Sequence, residues 1–254
     1  MSPTHICNIL TLLRPEKNFT AAMSCSCLPL QQLIMSKESF LSRSEEKYFN
    51  KLVSKKRKKS YLLGRFVAKQ AIRKLRPEIQ AQHINIAWGV FNQPVIEHSE
   101  SLQIQVSITH TQDCAIAIAF PEHHPIGVDL EDCNSSNAQA IKSQVSFEER
   151  SVLEQLELSS MQSIILLWSI KEALSKLLKT GLMTDFSLYG IVSSQRRQNL
   201  IISSFKFWHQ YQALSVLLDK KAFSIVLPKK TTTNFSKLLP EFQNYVKNNS
   251  STSE

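Results

Sequence analysis

No stretch of this chain approaches the roughly 18 consecutive apolar residues that a membrane-spanning helix requires. The mildly apolar opening, Ile6 to Leu13, has no Lys or Arg ahead of it and no small-residue cleavage pattern behind it, so no secretory leader is expected. Cysteine is sparse and odd in number. Cys7, Cys25, Cys27, Cys114 and Cys133 are scattered, and no second Cys or His pair matches Cys25-Ser26-Cys27 as a zinc site would demand. Ordinary thiols in a reducing, cytoplasmic compartment are therefore expected, with no disulfide framework. Acidic residues are outnumbered, 21 against 30 Lys and Arg, for a formal charge of +9. That balance implies an anionic partner and leaves open nucleic acid, acidic lipid, phosphorylated cofactors and acidic proteins. The basic block Lys55-Lys56-Arg57-Lys58-Lys59 lacks interleaved aromatics, so it offers no base-stacking platform, and on a helix its charges spread around the cylinder.

Carboxylates are present in an informative pattern. Gly127-Val128-Asp129-Leu130-Glu131 reads as a short strand behind Pro125, in which Asp129 and Glu131 share one face while Val128 and Leu130 face the core. The run Ser160 to Thr180 has helical apolar spacing at Leu166, Ile170, Ala173 and Leu177, with no Gly or Pro until Gly181. At about 100° per residue, Trp168, Glu172 and Lys176 lie above one another. Three oxygen donors on a strand and a helix suit a hard divalent ion such as Mg2+, and a neighbouring Lys suggests a phosphate ligand. Each segment alone also has a plainer reading, since Glu172 and Lys176 can be an exposed ion pair one helical turn apart.

Further pieces follow the same order along the chain. Arg57 and Arg65 bracket Tyr61-Leu62-Leu63-Gly64, close to two helical turns apart. Asn92-Gln93-Pro94 lies in a loop, Val106-Ser107-Ile108-Thr109-His110-Thr111 ends a strand, and Ser146-Phe147-Glu148-Glu149 opens a helix. Together with Trp168-Ser169-Ile170-Lys171-Glu172, this ordered set resembles the 4'-phosphopantetheinyl transferase superfamily, specifically its longer surfactin-synthetase-activating (Sfp-type) enzymes, from about Ser39 to Leu227. Asn92-Gln93 departs from the family's Gly-Lys at that loop.

The resemblance implies an α+β fold: a pseudo-two-fold duplication of two similar α/β halves with the active site in the cleft between them. The expected organisation is an N-terminal extension over 1–22, disordered and preceding a true start at Met23, then halves over 23–122 and 123–230 and a polar tail over 231–254 with a short helix near Phe235 to Val246. The implied reaction moves 4'-phosphopantetheine from coenzyme A to a serine of an apo acyl or peptidyl carrier protein and releases adenosine 3',5'-bisphosphate. The enzyme would be a Mg2+-dependent holo-[acyl-carrier-protein] synthase, cytoplasmic and monomeric, with an acidic carrier as partner and neither nucleic acid nor membrane.

By the same resemblance Asp129, Glu131 and Glu172 would hold Mg2+, and Lys176 would serve both catalysis and the pyrophosphate. Arg57, Arg65, Gln93, Thr109 and His110 would contact coenzyme A. Glu149 would be the general base, although Ser146-x-x-Glu149 is equally a helix capping box. The alternative function is an inactive binder of coenzyme A or carrier protein, or a basic nucleic-acid-binding module.

Overall fold

The computed structural model describes residues 4–98, 101–133, 141, 145–218 and 220–249. The chain divides into two units, one made of residues 1–123 and 232–254, the other of residues 124–231.

The first unit is built on an antiparallel five-stranded sheet of order β12-β1-β2-β6-β5. Its strands are β1 (Ile6–Leu13), β2 (Asn18–Ser26), β5 (Ile104–His110), β6 (Ala115–Pro121) and the short β12 (Thr232–Thr233). A hairpin of β3 (Asn85–Trp88) and β4 (Pro94–Glu97) lies beside β5. Three helices precede the hairpin: α1 (Leu30–Ser36), α2 (Arg43–Lys51) and α3 (Lys55–Leu75). The long α3 packs on β6, β2 and β5, burying Leu62, Leu63, Val67, Ala68, Ala71 and Ile72. A final helix, α6 (Phe235–Asn249), packs on β1 through Phe235, Leu239, Phe242 and Val246.

Three expectations need correction here. Residues 6–26 are not a disordered extension: β1 pairs along its whole length with β2, from Ile6 opposite Cys25 to Leu13 opposite Asn18, and Leu10 and Leu12 are almost fully buried. The end of the chain is likewise no polar tail over 235–249, because one apolar face of α6 covers that added strand. The Ser-rich end, residues 250–254, lies outside the described residues. The thiol expectation also fails, since Cys27 and Cys114 form a disulfide. Ser26 pairs with Ala115, so the next residues of β2 and β6 along the ladder, Cys27 and Cys114, face one another across the strands. Cys7 and Cys25 are in no disulfide.

The second unit holds an antiparallel sheet of order β7-β11-β10-β9-β8. Its strands are β7 (Gly127–Asp132), β8 (Ile191–Arg197), β9 (Leu200–Phe205), β10 (Tyr211–Leu218) and β11 (Lys221–Pro228), and its helices are α4 (Phe147–Glu154) and α5 (Ser160–Leu178). The long α5 packs on β7, β11 and β10 and buries Leu166, Ile170, Ala173 and Leu174. Lys179, not Gly181, provides the left-handed cap at its end, with φ 58°.

The two units repeat one topology. A strand leads through helices to a run of antiparallel strands, the last of which returns beside the first: β2 next to β6 in one, β7 next to β11 in the other. In each, the longest helix crosses that central pair. This is the duplicated α+β architecture that the sequence implied; β1, β12 and α6 are additions to the first copy.

Candidate active site

In the second unit, β7 and α5 meet closely. An ideal Cβ placed on Gly127 would come within 2.0 Å of the Ala173 carbonyl and 2.6 Å of the Leu177 nitrogen, so only glycine lets the strand approach the helix this far. Ser169 Oγ donates to the backbone carbonyl of Asp129 at 3.1 Å and fixes the register between the two elements. As a result Asp129 and Glu131 of β7 face Glu172 and Lys176 of α5. Lys176 Nζ donates to Asp129 Oδ1 at 2.6 Å.

The four groups also act on one another electrostatically. Burial, then the negative charge of Asp129, pushes the Glu131 carboxyl up to about 7, with Lys176 pulling the other way and Glu172 adding to the rise. Glu172 is pushed to about 7 by burial and Asp129, against Lys176. Burial works against the Lys176 ammonium, but Asp129, Glu172 and Glu131 together raise it. Three carboxylates thus crowd around one cation, and the site carries more negative charge than Lys176 neutralises. Among the described residues no three His, Cys, Asp or Glu side chains converge tightly enough to grip a metal ion as they stand. The all-oxygen, charge-rich donor set nevertheless has the chemistry a hard divalent cation takes.

The profile of the 4'-phosphopantetheinyl transferase superfamily matches residues 125–226. A holo-[acyl-carrier-protein] synthase of Geobacillus sp. (strain WCH70) is 35% identical over 97 residues, spanning 35% of this chain and 82% of the relative. The chain belongs to the 4'-phosphopantetheinyl transferase superfamily. The holo-[acyl-carrier-protein] synthase of Mycoplasma capricolum subsp. capricolum is 37% identical, spanning 35% of this chain and 84% of that relative. Two solved structures are similar to the chain at lower identity. One is a holo-(acyl-carrier-protein) synthase from Bacillus anthracis str. Ames in complex with CoA (3',5'-ADP), with 19% identity, TM-score 0.35, and 44% of this chain on 96% of that one. The other is from Plasmodium yoelii, with 16% identity, TM-score 0.32, and 47% of this chain on 97% of that one.

Asp129, Glu131, Glu149, Glu172 and Lys176 all lie inside the stretch matched to the transferase superfamily; Arg57, Arg65, Gln93, Thr109 and His110 precede it. In the first unit these five are unequal. Arg57 is exposed in the first turn of α3 and His110 is exposed at the end of β5, whereas Thr109 beside it is buried.

Arg65 does not share a solvent face with Arg57. It is 3% exposed, lies 3.3 Å from Glu45, donates to the Ile86 carbonyl and is sandwiched between the Tyr61 and Trp88 rings, each 4.8 Å away. Such a guanidinium holds the β3–β4 hairpin to α3 and cannot also reach a polyanion. Gln93 is occupied within its own turn, its side-chain oxygen accepting from Phe91 N–H at 2.9 Å and its amide lying over Gly89.

Glu149 departs furthest from its expected role. It is 4% exposed, and both carboxylate oxygens are engaged: by Lys171 Nζ at 2.8 and 2.9 Å, by the Ser146 N–H at 3.0 Å and by the Ile191 N–H at 3.3 Å. The capping box is formed in full. A carboxylate so held has no free lone pair directed at a substrate. Lys171, unremarked in the sequence, is the buried partner. The signal that could have found it is its place next to Glu172 on the inward side of a helix, where an isolated ammonium requires a counter-ion.

Proposed function

We propose that this chain is a Mg2+-dependent 4'-phosphopantetheinyl transferase of the longer, surfactin-synthetase-activating type. It transfers the phosphopantetheine arm of coenzyme A to a serine of an apo carrier protein and releases adenosine 3',5'-bisphosphate. The longer type is supported by the repeat of one topology in two units, where the relatives match only about a third of this chain with most of their own length. The observation that carries the chemistry is the cluster of Asp129, Glu131 and Glu172 around Lys176.

Asp129, Glu131 and Glu172 would hold the cation. When bound, Mg2+ supplies charge neutralisation and a template for a pyrophosphate. Lys176, kept cationic by three carboxylates and still 30% exposed, is free to exchange part of its contact with Asp129 for a phosphate oxygen of the leaving group. In the first unit His110 and Arg57 are the exposed members of the group expected at coenzyme A. Thr109 lies buried beside His110 and orders the strand end.

The formal charge of +9 favours encounter with an acidic carrier. A monomer completes the reading, since two like units in one chain need no second copy to supply the repeat. The test is incubation of the purified protein with coenzyme A, Mg2+ and a panel of apo carriers, followed by intact carrier mass with and without EDTA. Gain of one phosphopantetheine that EDTA abolishes is expected. Transfer that persists in EDTA would remove the metal from the reading, and no transfer to any carrier would remove the enzyme.

A further inference from the structure

The two units differ where the central strand meets the long helix. Their helices align through a buried pair that both contain: Glu45, in a capping box with Ser42, takes Lys69 of α3, as Glu149, boxed with Ser146, takes Lys171 of α5. Placing Lys69 on Lys171 sets Phe66-Val67-Ala68-Lys69-Gln70 beside Trp168-Ser169-Ile170-Lys171-Glu172. The sheets align through the cross-strand link that ends each ladder. The Cys27–Cys114 disulfide lies one step past the Ser26–Ala115 pair, and the Asp132–Lys221 ion pair lies one step past the Glu131–Ala222 pair.

Counted from those links, Ala22, Ser24 and Ser26 of β2 stand at the places of Gly127, Asp129 and Glu131 of β7. The first unit thus has Ser24, Ser26 and Gln70 where the second has its three carboxylates. Two further differences go with this one. Where Gly127 lets β7 press on α5, β2 carries the Cβ of Ala22. Where Ser169 reaches the strand, α3 carries Val67, and both Ala22 and Val67 are fully buried. A helix can therefore pack on its strand at this place with an apolar side chain, and packing alone does not call for the hydroxyl.

A buried helical serine commonly donates to a carbonyl of the preceding turn. Ser175 of the same helix does so, giving its proton to the Glu172 carbonyl at 2.9 Å. Ser169, fully buried, reaches off the helix to the Asp129 carbonyl at 3.1 Å. The need for such a tie is electrostatic. Asp129 on the strand and Glu172 on the helix repel one another, which works to part the two elements. Lys176 offsets the repulsion through its ion pair with Asp129, but its side chain is 30% exposed and able to leave. The Ser169 hydroxyl holds the backbone whether or not the lysine stays, and it does so at the residue whose carboxylate would meet the cation.

We propose that Ser169 is a positioning residue for the cation site, holding β7 against α5 through the Asp129 carbonyl so that the carboxylates of both elements converge on one ion. This rests on the reading of Asp129, Glu131 and Glu172 as the cation ligands.

The test measures Mn2+ affinity by direct titration of the full chain, with melting temperature in EDTA as the readout of packing. Ser169→Ala is expected to weaken Mn2+ binding about tenfold. Ser169→Thr and Ser169→Val have nearly the same shape and differ in the hydroxyl, so together they separate the hydrogen bond from the volume. Ser169→Thr should bind Mn2+ within about threefold of the parent, and Ser169→Val about tenfold more weakly than Ser169→Thr. Val67→Ala, at the matching place in the first unit, should lower the melting temperature and leave Mn2+ affinity unchanged. Should the two larger side chains prevent folding, Ser169→Ala against Val67→Ala decides, since both only remove atoms. Parent-like Mn2+ affinity in Ser169→Ala, equal affinity in Ser169→Thr and Ser169→Val, or an equal loss in Val67→Ala overturns the positioning role alone. A parent chain that takes no Mn2+ overturns the cation site and this inference with it.

Discussion

Lys176 donates to Asp129 across 2.6 Å, joining the last turn of α5 to the centre of β7, and the lysine is 30% exposed while the aspartate is 4%. The buried partner is fixed and the exposed one can move. Asp129→Ala should therefore lower turnover by about two orders of magnitude or more, because it removes both a cation ligand and the anchor of Lys176. Glu172→Ala should do the same with less effect on folding, since it relieves crowding among carboxylates. Carrier modification read by mass, with circular dichroism as the folding control, decides the matter. A folded Asp129→Ala that works at near-parent rate would end the assignment.

The carboxylate cluster also sets a pH dependence. Glu131 and Glu172 are raised to about 7 from ordinary values near 4.5, so the folded state holds their protons more tightly than the unfolded chain does. Their contribution to stability is fully present below about pH 4.5 and is lost as pH rises through about 7. In EDTA the melting temperature should fall between pH 5 and pH 8 by an amount equivalent to roughly 3 kcal/mol or less, the two groups being coupled through Asp129. Mg2+ or Mn2+ should restore most of the loss at pH 8 and little at pH 5. A melting temperature that is flat across this range without metal would show that the carboxylates do not crowd one another.

Gly127 offers a purely steric check on the same junction. Gly127→Ala would drive a methyl group against the Ala173 carbonyl and the Leu177 backbone, neither of which can swing aside. Overpacking of this kind costs about 2 kcal/mol, or roughly 5 °C of melting temperature. Loss of activity should exceed the loss of folded protein, because the strand that retreats carries Asp129 and Glu131.

How far the sequence was legible follows from how local each signal is. The helix over 160–178 and the strand over 127–132 announce themselves by periodicity, and the spacing of Asp129, Glu131, Glu172 and Lys176 along those periods is enough to bring them together. The role of Glu149 was ambiguous for a physical reason. A capping box and a catalytic glutamate have the same spacing, and only the ammonium of Lys171, on another helix, separates them. Arg65 was misplaced because its partners, Glu45, Tyr61 and Trp88, come from three different elements, and nothing local marks a cation for burial. Gln93 turned inward because its oxygen found a backbone N–H two residues away. The disulfide was invisible because Cys27 and Cys114 become neighbours only once β2 and β6 pair, at a sequence separation of 87.

The opening residues are the sharpest case. Ile6 to Leu13 shows only partial alternation, and its buried positions, Ile6, Leu10 and Leu12, are spaced by four and two. The strand is held instead by distant partners. The Thr11 N–H donates to Asn234 Oδ1 at 2.9 Å, Tyr245 donates to the Thr4 carbonyl at 3.0 Å, and β1 is the strand on which α6 packs. A chain begun at Met23 would lack β1 and the first half of β2, leaving Phe235, Leu239 and Phe242 without the surface that buries them. Such burial is worth about 2 kcal/mol for each large side chain, more than a domain's ordinary margin can lose three times over along with a strand's hydrogen bonds. The shortened protein should therefore be insoluble or melt without cooperativity. Purification of both lengths, followed by thermal unfolding under circular dichroism, makes the comparison. If the chain from Met23 unfolds cooperatively at the full-length temperature, β1 is dispensable, and the first unit is complete without its added edge.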